Sequence, residues 1–249
     1  MPNELILGPI RVEHLTVDAA LKQLDEALEK DSPKRVAFCN AHCVSQALFD
    51  PTYRAALSRM LLFNDGVALD IASRLITGKP FPANLNGTDF IPAFLAKSKH
   101  SLRIALLGGK PGVAHRAAKS LAARYPRHQV VFVRNGYFSA EQEREIVALI
   151  AKEAPDVLLV AMGNPLQELF MHRNAQALNC KLVFGVGALL DFLSESMPRA
   201  PFWMRKARLE WLFRLKNEPR RLMARYTVGA ITFAWAVLVF RIKATLDSP

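Results

Sequence analysis

Cysteine is scarce in this chain: Cys39, Cys43 and Cys180 are too few to build a disulfide framework. The opening MPNELILGPIRVEH holds no basic stretch followed by an apolar one, so no signal peptide is expected and a reducing, cytoplasmic setting follows. No two aspartates stand two apart, which removes the D-x-D element that holds a divalent cation in many sugar-nucleotide enzymes. The grouping Cys39, His42, Cys43 has no second ligand pair, so it reads as a packed strand end and not as zinc. Chemistry without metal or cofactor is therefore expected. G-x-G-x-x-G and Walker A patterns are also missing, which disfavours an NAD-type oxidoreductase. The pI near 9.9 invites a nucleic-acid reading. RNP patterns, zinc-finger spacing and zipper heptads are all absent, so nucleic acid is not an expected partner. There is no internal repeat and no low-complexity segment.

What is present is an apolar fraction of 51%, enough for a full core, and a charge of +11 that is strongly localised. Residues 199–249 carry eleven basic against three acidic residues, so +8 of the total lies there. Beside this cluster, Tyr226–Phe240 reads YTVGAITFAWAVLVF, fifteen residues without a charge, followed by Arg241 and Lys243. Basic groups beside an apolar run suit an anionic membrane face, where each contributes ~1 kcal/mol. Guanidinium groups also bind phosphate bidentately. A protein that handles a phosphate-bearing lipid needs both properties.

Fifteen residues make about 22 Å of helix, short of the ~30 Å hydrocarbon core. Attachment along the membrane surface is expected in preference to a span. The competing reading is a helix packed on the domain.

Near-continuous apolar runs predict strands over 35–40, 60–64, 103–108, 129–133, 156–161 and 181–186. Helix-period segments lie between them, over Val17–Glu29, Val113–Arg124, Ala140–Glu153 and Leu166–Leu178, with Ser139 and Gln142 as a capping box for the third. The alternation predicts an α/β fold, a Rossmann-like doubly wound and mostly parallel sheet. Pro198 and Pro201 mark a boundary, giving a catalytic domain over 1–198 and a basic helical appendage over 199–249.

Ligands on such sheets sit beyond the carboxyl ends of the strands. Asp65, in Asn64-Asp65-Gly66, is either a general base or a turn residue. Gly108 opens a turn that either cradles phosphate or joins strand to helix tightly. Gly163, after the fifth strand, precedes Pro165, Gln167 and Glu168; the last two either complement the helix dipole or touch ligand. Gly187, after the sixth, precedes Asp191 by about one turn.

The order of N-D-G (64–66), N-G-T-D (86–89), G-N-P-x-Q-E (163–168), G-V-G-A-x-x-D-F (185–192), R-A-P-x-W (199–203), L-E-W-L-x-R-L (209–215) and E-P-R-R-x-x-x-R-Y (218–226) resembles the WecG/TagA/CpsF family of bacterial glycosyltransferases over nearly the whole chain. The resemblance implies an inverting, metal-independent hexosyl transfer from a UDP-sugar to a lipid-diphosphate-linked saccharide, in cell-surface polysaccharide synthesis. It makes Asp65 the base. It puts Asn40, Gln167 and Asp191, with Asn86 and Asp89 of N-G-T-D, at the substrate pocket. It places Arg214, Arg221 and Arg225 on an appendage that closes over the site at the membrane.

Three departures stand out: Phe38 where several members have Thr, Asn84 where Arg often stands, and the stretch 193–198 where a Gly usually precedes R-A-P. Expected partners are the donor, the lipid-linked acceptor and an anionic membrane surface, with a homo-oligomer left open. The expected location is the cytoplasmic face of the bacterial inner membrane, peripheral or monotopic. A membrane-attached nucleotide-binding adaptor without catalysis is the alternative.

Overall fold

The computed structural model describes residues 4–30, 32–206, 209–217 and 219–246. Each predicted apolar run forms a strand. They are β3 (Lys34–Cys39), β4 (Leu61–Asn64), β5 (Arg103–Gly108), β6 (Gln129–Arg134), β7 (Val157–Ala161) and β8 (Leu182–Gly185). A hairpin precedes them, β1 (Glu4–Leu7) and β2 (Ile10–Glu13). The eight strands form one sheet in the order β1-β2-β4-β3-β8-β7-β5-β6. Only β1 runs antiparallel to its neighbour. The hairpin strands are four residues each and join Leu7 to Ile10 through Gly8-Pro9. That is too short for an alternation to register in the sequence.

Helices cover both faces, as continuous apolar strands require. On one face lie α1 (Val17–Glu29), α5 (Gly87–Lys97), α6 (Val113–Arg124) and α9 (Leu189–Leu193), packed over Phe38, Phe63 and Phe184. On the other lie α2 (Ala41–Phe49), α3 (Pro51–Leu57), α4 (Val67–Thr77), α7 (Ala140–Glu153) and α8 (Leu166–Arg173). Phe94 and Phe184 are fully buried with their rings 5.6 Å apart, and each such side chain contributes ~1.5–3 kcal/mol.

Helix α7 carries the expected capping box, with both the Gln142 N–H to Ser139 Oγ bond and its reciprocal in place. Helix α8 stops at Arg173, short of the predicted Leu178. There the Asn174 amide donates to Glu143 Oε1 at 2.8 Å and to the Phe170 carbonyl at 3.0 Å. A side chain that claims a helix carbonyl competes with the ladder that would continue it.

The basic segment forms α10 (Phe202–Lys206), α11 (Glu210–Asn217) and α12 (Pro219–Leu246). Pro219 opens α12, where its missing N–H costs nothing. Helix α12 lies along α2, α4 and β1. Leu222, Phe233, Ala236 and Val237 are buried, Ser45 Oγ donates to the Gly229 carbonyl at 2.9 Å, and the Phe240 ring covers the Gly8 turn. Its opposite side exposes Val228, Ile231, Trp235, Leu238 and Ile242, spaced three and four apart. The fifteen-residue apolar run thus has one face against the domain and one in solvent. Among the described residues no helix is long and apolar enough to cross a membrane.

Candidate active site

The parallel register brings the ends of β3 and β4 level, with Cys39 opposite Asn64. Asn40 then caps α2: its Oδ1 accepts from the N–H groups of His42 at 3.1 Å and Cys43 at 3.3 Å. This leaves its Nδ2 to donate to Asp65 Oδ2 at 3.3 Å. The Asp65 backbone is fixed as well. Its N–H donates to the Cys39 carbonyl at 2.7 Å, and the next N–H, from Gly66, donates to Asn84 Oδ1 at 3.0 Å. Asn84 therefore has a definite task here, holding the turn that presents Asp65.

At the ends of β7 and β8 a second assembly forms around Gln167. Its Oε1 accepts from Gly163 N–H at 3.1 Å and Gly187 N–H at 3.0 Å. Its Nε2 donates to Glu168 Oε1 at 2.8 Å, and Asn164 Nδ2 donates to the same oxygen at 2.6 Å. Gln167 is almost fully buried and Glu168 wholly so. Burial raises the Glu168 carboxyl to about 7, against the pull of its hydrogen bonds. Gly66, Gly163 and Gly187 have positive φ, and a Cβ at any of them would meet nothing within 4 Å. Open space thus borders three strand ends at once, and the positive φ at each favours glycine.

Between the two assemblies lie Cys39, Cys43 and Tyr53, all buried. The hydrogen bond between the two thiols pushes Cys39 up and Cys43 down, and burial pushes the Tyr53 phenol up. All three cysteines are free thiols. Among the described residues no three His, Cys, Asp or Glu side chains gather as a metal site would need.

The N-G-T-D segment opens α5. Asn86 caps it, accepting from Asp89 N–H at 3.0 Å and Thr88 Oγ1 at 2.7 Å, and donates to Asp89 Oδ2 at 3.0 Å. Asp89 also pairs with Arg199 of the R-A-P segment and with Arg205 of α10. Asn86 and Asp89 thereby seat the start of the appendage on the domain. The glycine of this motif has a packing reason: a Cβ on Gly87 would stand 2.7 Å from the Phe38 ring. Phe38 thus fills core space beside Gly87.

Gly108 is held by close strand contact, since a Cβ there would lie 2.3 Å from the Ala161 carbonyl oxygen. Asp191 sits in α9, and its carbonyl accepts from Ser194, Ser196 and Met197. Arg214, on α11, stacks on the neighbouring Phe192 ring at 5.1 Å, which brings the appendage over the carboxyl edge of β8. Arg221 and Arg225 lie on α12, and their side chains fall outside the described residues.

A model of the glycosyl transferase WecG/TagA/CpsF family matches residues 6–246. The chain belongs to this family. Two curated relatives carry the name N-acetylglucosaminyldiphosphoundecaprenol N-acetyl-beta-D-mannosaminyltransferase. The one from Bacillus spizizenii is 28% identical over 78% of this chain and 75% of its own length. The one from Bacillus subtilis is 31% identical over 75% of this chain and 72% of its own.

In this member of the WecG/TagA/CpsF family the carboxyl edge collects Asn40, Asp65, Gly163, Gln167, Gly187 and Asp191 onto neighbouring strand ends. Glu168, Asn164, Asn84 and Tyr53 pack around and beneath these residues, and of the four only Tyr53 belongs to no motif or turn noted in the sequence. The adjacent Gln167-Glu168 pair was visible there. Nothing in a string of letters shows that the second of two polar neighbours turns into the core.

Proposed function

We propose that this protein transfers a sugar from a UDP-sugar to a lipid-diphosphate-linked saccharide, with inversion at the anomeric carbon and without a metal. The observation that carries this reading is Asp65, oriented by the Asn40 amide at a parallel-sheet carboxyl edge and bordered by open space over Gly66. A carboxylate so placed takes the proton of the acceptor hydroxyl. The hydroxyl oxygen bonds to the anomeric carbon, and the carbon–oxygen bond to UDP breaks on the opposite face, its electron pair leaving with UDP.

The charge growing on UDP needs preorganised donors. Arg214, placed over α9, supplies one, and Arg221 and Arg225 on α12 are assigned the same task. The relatives' names point to an N-acetylmannosaminyl donor and N-acetylglucosaminyl-diphospho-undecaprenol as acceptor.

A lipid-tailed acceptor keeps the reaction at a membrane surface. The outward stripe Val228, Ile231, Trp235, Leu238 and Ile242 is a contiguous apolar surface beside basic residues, suited to lying in the interface of an anionic bilayer. The cytoplasmic face of the inner membrane is where nucleotide sugars and such a surface meet.

The test is a donor screen scored by UDP release with the lipid acceptor present. Release only when both substrates are supplied supports transfer. Nucleotide binding with no release from any donor would replace transfer with a binding role.

A further inference from the structure

Gln167 has no acceptor capacity left for a ligand, because its carbonyl oxygen is shared between two backbone N–H groups of this chain. Those groups belong to Gly163 and Gly187, the turns that follow β7 and β8, and both turns border the open mouth of the site. Gln167 therefore works as a staple across two strand ends. A staple of this kind functions only if the amide faces one way. Turned over, it would aim its NH2 at two N–H donors and break both bonds.

What fixes its orientation is Glu168. The carboxyl oxygen Oε1 takes the Gln167 NH2 at 2.8 Å and holds Asn164, in the turn itself, at 2.6 Å. Gly185 lets the amide lie flat on β8, since a Cβ there would come within 3.0 Å of Gln167 Nε2. The second carboxyl oxygen lies near the Tyr53 hydroxyl and makes no hydrogen bond of ordinary length. The titratable groups around the carboxyl are thus Cys39 on β3, Cys43 on α2 and Tyr53 on α3.

A wholly buried acid is expensive, and a leucine would fill the same volume without that cost. The two hydrogen bonds that Oε1 accepts come from Asn164, in the Gly163 turn, and from Gln167, which bridges both turns. We infer that Glu168 is a positioning residue for sugar transfer: it locks the Gln167 amide so that the Gly163 and Gly187 turns are held in register at the mouth of the site. This inference rests on the transfer reading above. It adds that the geometry of the donor's surroundings is set from beneath, by a residue that touches no substrate.

The experiment compares Glu168→Leu and Glu168→Gln with the unaltered protein by steady-state transfer and by amide hydrogen exchange at Gly163 and Gly187. The glutamine variant keeps a carbonyl oxygen for both incoming NH2 groups, so both its exchange and its kinetics should stay within a few-fold of the unaltered chain. The leucine variant should raise the donor KM by ~10-fold or more, because small displacements of positioning groups have large kinetic effects. The Gly163 and Gly187 amides should exchange at least ~10-fold faster in it, while core amides of β5 keep their protection.

Unchanged KM and unchanged exchange in a folded Glu168→Leu protein would overturn the inference. So would a Glu168→Gln variant as impaired as the leucine one, since an intact acceptor would then not suffice. Should the leucine variant fail to fold, Gln167→Leu cuts the same link from the other side, and normal exchange at the two glycines would then refute the staple. Absence of transfer in the unaltered protein refutes the function and leaves the exchange comparison to decide the lock.

Discussion

A carboxyl group sealed in the core makes the stability of the fold depend on pH. Glu168 has its acidity moved from an ordinary 4.5 up to about 7, chiefly by burial. Between those values the folded chain binds a proton that the unfolded chain has released. Stability from this residue is therefore whole below about 4.5 and is lost as pH rises through about 7. A shift of this size corresponds to about 3 kcal/mol. Denaturant unfolding of the unaltered protein and Glu168→Gln should thus diverge with pH. The variant should gain about 3 kcal/mol on the parent between pH 4.5 and pH 8. Parallel stability curves would show that the carboxyl is not titrating in the core.

Asp65 makes the contrasting prediction. Asp65→Asn should fold as before and lose ~100-fold or more in turnover, the usual contribution of a general base. Near-normal turnover would remove Asp65 from the chemistry. The two residues also differ in how readable they were. Asp65 stands beside Gly66 at a strand end, and strand end plus turn is a local signal. Glu168 depends on a helix rotating its third residue beneath a neighbouring strand, which only packing decides.

At the scale of elements, the predicted strands and the helices α1, α6 and α7 were legible because each is a run of one period. Helices α2, α4 and α5 were less so, because their apolar residues follow directly on the strand-end motifs and blur the change of period. Helix α12 is the instructive case. The sequence offered surface attachment or packing on the domain as alternatives. The helix packs on the domain through Phe233, Ala236 and Val237 and still presents a second apolar side. A run that is apolar all round need not choose.

The attachment proposal therefore concerns only the outer side. Ile231→Glu combined with Trp235→Glu should abolish sedimentation with anionic liposomes, since each charge opposes burial in the interface. Thermal stability should hold, because both side chains point away from the core. Unchanged liposome binding would remove α12 as the attachment surface. A fall in stability equal to that of a Phe233→Ala control would show instead that the outer side is structural.

For the molecule as a whole, the proposed transfer needs its leaving diphosphate stabilised. That proposal gives the task to guanidinium groups, with Arg214 over α9, and to helix N-termini. Transfer should therefore run at an unchanged rate in EDTA. A loss restored by magnesium or manganese would show that a cation shares that task.

Helix α2 ties the attachment surface to the chemistry. At its N-terminus Asn40 grips Asp65; five residues further on, Ser45 grips Gly229 of α12. The two grips are about 7.5 Å apart along the helix axis, at 1.5 Å per residue. On the two proposals above, α12 in the membrane surface and Asp65 as the base, α2 is the link that holds one at a fixed distance from the other. Reach to the acceptor hydroxyl then becomes part of how the acceptor is selected.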